Sequence, residues 1–75
     1  SELIAGVIQP ELDKLVGRTI EFYESGSDEK IKVRASKIDF VEDDGYCWLE
    51  IRDENGKGYT TDGQGLDIWY NVVED

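Results

Sequence analysis

Carboxylates dominate the side chains able to do chemistry: eighteen Asp and Glu stand against eight Lys and Arg, with no histidine and one cysteine. Without histidine the chain lacks the usual general base near neutral pH, the base of Ser/His and Cys/His nucleophile pairs, and the commonest metal ligand. Carboxylate pairs do acid–base work when an apolar pocket raises the pKa of one member. The adjacent pairs here, Asp43-Asp44 and Asp53-Glu54, lie in turn-forming sequence, where water prevents that. No Gly-rich phosphate loop opens a helix. Cys47 shares the alternation of core positions and reads as a buried small hydrophobe rather than a nucleophile. One metal pattern deserves a test, since residues 53–64 overlay a twelve-residue EF-hand loop with Asp53, Asn55 and Gly58 at positions 1, 3 and 6. It fails at position 5, where Lys57 stands, and at position 12, where Gln64 replaces the bidentate Glu. The expectation is a protein that is not an enzyme and uses neither cofactor nor metal.

The elements that must carry these residues follow from periodicity. Leu3, Ile4, Val7 and Ile8 form one apolar helical stripe. Pro10 interrupts that stripe and opens a new turn, so a short helix is expected over about residues 10 to 16, with Gly17 as its stop. From Thr19 the period changes to two. Ile20 and Phe22 mark a first strand. Lys30 to about Glu42 is a long second strand whose inward face switches between Ala35 and Ile38, which requires a bulge or sharp bend. Asp43-Asp44-Gly45 is a hairpin turn, with Asp-Gly a strong signal for one. Tyr46 to Arg52 is a third strand, with Cys47, Leu49 and Ile51 facing one side. Residues 53–58 turn again, Tyr59 to Thr61 is a short fourth strand, residues 62–65 turn, and Leu66 to Val73 alternate as a fifth. The expected fold is mostly β (α+β): a short N-terminal helix, then a five-stranded, bent antiparallel sheet closing as a small SH3-like or Sm-like barrel. No linker, repeat or low-complexity tract divides residues 1–75, so one domain is expected.

Charge is distributed unevenly over this framework. Up to residue 40 eight acids face six bases; beyond it ten acids face only Arg52 and Lys57, a net of −8 out of −10 for the chain. The bases concentrate in the second strand as Lys30, Lys32, Arg34 and Lys37, where pairing with acids across the sheet is the plain reading. Acids in turns can serve solvation alone. The sharper expectation is an acidic surface that docks on a basic partner protein, as a small inhibitor or adaptor. A further reading makes that partner a nucleic-acid-binding protein, blocked by carboxylates that mimic a DNA or RNA backbone. Direct contact with nucleic acid or with an anionic membrane is opposed by the same charge.

Eight aromatic residues complete the candidate site. Parity places Tyr46 and Trp48 on the outer face of the third strand and Trp69 on that of the fifth, while Leu66 and Ile68 face inward. The covering alternative is that Leu3, Ile4, Val7 and Ile8 lie over these rings. The functional alternative is an exposed aromatic patch rimmed by acids, a composition found at protein-binding hot spots. The expected partner-binding residues are Asp43, Asp44, Tyr46, Trp48, Glu50, Asp53, Glu54, Asp67 and Trp69. A separate expectation is a structural subunit that oligomerises through open sheet edges. A lone cysteine and the lack of a long apolar run or secretory signal lead to a cytoplasmic expectation.

Overall fold

Alternation of apolar and polar residues from Thr19 onward yields five strands in a computed structural model that describes residues 5–61 and 68–73. In order they are α1 (Ala5–Asp13), β1 (Thr19–Tyr23), β2 (Lys30–Asp43), β3 (Tyr46–Asp53), β4 (Gly58–Thr60) and β5 (Tyr70–Val73). The strands form one antiparallel sheet in the order β4-β3-β2-β1-β5. The molecule is therefore mostly β with one short helix. The ladder remains open, with β4 and β5 as its two ends. One isolated bridge, Glu24 to Thr61, joins the residues that follow β1 and β4, and the Ser25 N–H donates to the Thr60 carbonyl at 2.9 Å.

The inner face holds the apolar cluster of Leu12, Ile20, Phe22, Val33, Ala35, Ile38, Phe40, Cys47, Leu49 and Ile51. Each fully buried Leu, Ile or Phe contributes about 1.5–3 kcal/mol. Phe22 and Cys47 have no exposed surface at all. Ile68 and Val72 pack against this cluster, but Tyr70 of the same parity is 38% exposed, and β5 begins only at Tyr70, after Ile68 and Trp69 of the expected strand; Leu66 lies outside the described residues.

The expected slip in β2 is present as a register shift between Ala35 and Lys37. The extra residue, Ser36, sets its Oγ 2.9 Å from the Asp53 carbonyl and 3.2 Å from that of Arg52. A hydroxyl thus ties the bulge to the neighbouring strand. Below the bulge β2 pairs with β1; above it, with β3.

The helix departs from expectation, spanning Ala5–Asp13 with Pro10 inside it. Proline removes one backbone donor and crowds the preceding turn. Tertiary contacts outweigh that loss. Leu12 is buried to 1% exposure, and Ile8 and Leu15 pack against the core beside it. Gln9 adds a polar clamp: its Nε2 donates to the Ile38 carbonyl at 2.7 Å, and its Oε1 accepts from the Phe40 N–H at 2.9 Å. A side-chain amide thereby satisfies the edge of β2 that β1 leaves unpaired. Gly17, at φ 89°, ends the following turn and donates to the Ala35 carbonyl.

Candidate protein-interaction surface

The β2–β3 hairpin is built by its turn. Asp44 and Gly45 have φ of 49° and 82°, and two successive positive values define the turn whose twist matches the flanking strands. Asp43 then faces Tyr46, Val41 faces Trp48, Asp39 faces Glu50, and Lys37 faces Arg52. Cys47, Leu49 and Ile51 point to the core, so these four rows form the outer face of the hairpin. From tip to base the rows run acidic-aromatic, apolar, doubly acidic and doubly basic.

At the tip Glu42, Asp43 and Asp44 are consecutive and exposed. None of the three forms an ion pair among the described residues. Tyr46 beside them is 59% exposed. Trp48 is half-buried, and its Nε1–H donates to Glu50 Oε1 at 3.3 Å, which turns the indole along the strand. Asp39 lies 3.5 Å from Lys37 Nζ. Burial pushes the Cys47 thiol up from its ordinary value, and the charge of Glu42 pushes it further. The thiol therefore stays protonated and poorly nucleophilic near neutral pH.

Two of the expected site acids are held by the fold. Asp53 Oδ1 accepts the N–H groups of Lys57 and Asn55, each at 2.9 Å, and Oδ2 accepts the Tyr59 hydroxyl at 3.2 Å. The Lys57 N–H, more than the other donors, holds the Asp53 carboxyl below its ordinary pKa; the Asn55 N–H, the Tyr59 hydroxyl and the Lys57 charge add to it, against a smaller opposing effect of desolvation. Its oxygens brace the turn that opens the stretch compared with an EF-hand loop, whose residues 62–64 lie outside the described residues. Among the described residues no three Asp, Glu or Cys side chains gather to hold an ion. Glu54 pairs with Arg34 at 2.7 Å.

Trp69 stands apart. It is 44% exposed and tilts against Tyr23 at 5.5 Å between ring centroids, with Lys30 Nζ 5.3 Å from its own. With β5 and β3 separated by β1 and β2, the rings expected as one patch form two. Asp67 lies outside the described residues, as do Leu3 and Ile4 of the proposed cover; Ile8 packs on the core instead. Sequence reasoning passed over Asp39 and Val41. Their alternation after the bulge was the available signal, because it sets them beside Glu50 and Trp48.

Comparison of the chain with protein-family models, with curated proteins and with solved structures found no match.

Proposed function

We propose that this chain is a non-catalytic interaction module whose β2–β3 hairpin docks on a basic surface of a partner protein, as a small inhibitor or adaptor. One contrast carries the reading. The acids at the hairpin tip are exposed and unpaired among the described residues, whereas three bases of β2, Lys30, Arg34 and Lys37, have partners within the molecule. Glu21 faces Lys32 across the sheet, Arg34 holds Glu54, and Lys30 lies over Tyr23 and Trp69. What remains outward is a negative, aromatic tip, and a positive surface is its complement. The bridge between Glu24 and Thr61 supports a sheet rolled into the small SH3-like kind of barrel, which would hold the hairpin rigidly. We place the module in the cytosol, where a lone buried thiol stays reduced.

The test is binding to a basic partner as salt is varied. Exposed charges are screened, so affinity should fall steeply with ionic strength, and Asp43→Asn with Asp44→Asn should weaken it. Affinity that is flat in salt and indifferent to both substitutions would remove the electrostatic reading. The open edges at β4 and β5 support a second reading, assembly through strand pairing. A strict monomer in sedimentation at high concentration would end it.

A further inference from the structure

The rows on the outer face of the β2–β3 hairpin are ordered by charge, with Asp39, Val41 and Trp48 half-buried on it. Asp39 and Glu50 face each other directly across the two strands. Like charges in that position destabilise a sheet. Lys37, 3.5 Å from Asp39, is an exposed partner, and such pairs are worth little in water. Immediately toward the tip lies Trp48, its indole turned toward Glu50. Beyond it stand Tyr46, Asp43 and Asp44. Toward the base the sign reverses with Lys37 and Arg52, the latter tethered by its Nη1 to the Gly56 carbonyl at 2.7 Å. A shallow cavity of about 190 Å³ opens beside the two basal rows, lined by Lys37, Asp39, Glu50, Arg52, Tyr59 and Thr60.

We propose that this face receives an extended arginine-bearing segment of the partner protein, with one guanidinium lying on Trp48 and held between the carboxylates of Asp39 and Glu50. The proposal rests on the acidic-docking reading above and adds the face, the strand and the side chain recognised. Charge complementarity selects the occupant. A planar cation relieves the opposed carboxylates, donates to both from its fork and stacks on an indole, three things an ammonium does less well together. A second copy of this chain is a poorer occupant, because each copy carries a charge of −10. Lys37 and Arg52 at the base repel further cations, so the segment's remaining positive charge lies toward Asp43 and Asp44. This fixes its direction.

The probe is a synthetic extended peptide with arginine at alternate positions, set beside its lysine and glutamine counterparts. Binding is followed by indole fluorescence in a Trp69→Phe background, which leaves Trp48 as the reporter. The arginine peptide should perturb that emission and bind at least several-fold more tightly than the lysine peptide. Asp39→Asn with Glu50→Gln, which removes a repulsion and so spares the fold, should weaken binding about tenfold. Trp48→Ala, followed by calorimetry, should do likewise. Equal binding of the arginine and lysine peptides overturns the assignment. So does loss of affinity in Asp43→Asn/Asp44→Asn with none in the Asp39 and Glu50 variants; that outcome leaves the broader acidic-docking reading standing. Indifference to all four acids overturns both.

Discussion

Two side chains show how single residues trade reactivity for structure. Asp53 spends its carboxylate on two backbone N–H groups and the Tyr59 hydroxyl, and its pKa is lowered from an ordinary 3.8 as a result. A depressed carboxylate stabilises fully above the unfolded value and loses that contribution as pH falls through the folded one. Wild type should thus be more stable than Asp53→Asn at pH 7, with the gap closing below about pH 4. Thermal unfolding of both across that range measures it, and a gap that persists unchanged at the acid end would show that charge is not what the turn uses. Thr61 is 2% exposed, its Oγ1 accepts the Leu49 N–H at 2.9 Å, and its own N–H returns to the Leu49 carbonyl. Thr61→Val keeps the shape and strands that buried donor, which should cost about 1–3 kcal/mol in urea denaturation. Thr61→Ser, which keeps the hydroxyl, should recover most of it.

At the scale of elements, strands were legible where the period of two was unbroken. The β2 bulge was legible too, because apolar parity changes between Ala35 and Ile38, and only an extra residue permits that with one buried face. The helix was less so. Pro10 is a strong local signal for a helix start, yet the forces that carry α1 through it are non-local: burial of Leu12 and the bonds of Gln9 to a strand about thirty residues away. No window of sequence contains that contact. The same limit explains the aromatic residues. Parity put Trp48 and Trp69 on outer faces, but strand order, which separates them, follows from pairing rather than from pattern. Replacing Gln9 by Ala should therefore do more than a surface helix substitution, costing about 1–2 kcal/mol as the Phe40 N–H and Ile38 carbonyl lose their partner. Hydrogen exchange should locate the effect at the Phe40 amide. At the hairpin, a Cβ at position 45 meets nothing within 4 Å, but φ is 82° there, so Gly45→Ala should cost about 1–2 kcal/mol from backbone strain alone.

Over the whole molecule, a charge of −10 acts on folding and on binding with opposite sign. The three ion pairs among the described residues, Glu11–Lys14, Arg34–Glu54 and Lys37–Asp39, are all exposed, and each contributes about 1 kcal/mol or less. They do not offset the repulsion among eighteen carboxylates. Added salt shortens the screening length from about 30 Å at 10 mM to about 8 Å near physiological strength, which reaches the long-range repulsion before the close pairs. The melting temperature should therefore rise with sodium chloride over that interval, while affinity for a basic partner falls. Asp43→Asn with Asp44→Asn separates the two effects further: the double variant should melt higher than wild type at low salt, respond less to added salt, and bind its partner less well. A protein whose turn acids serve only solvation would gain the stability without losing the binding. That divergence, measured on one variant by calorimetry and by titration, distinguishes a surface kept acidic at a cost to the fold from one that is acidic by composition alone.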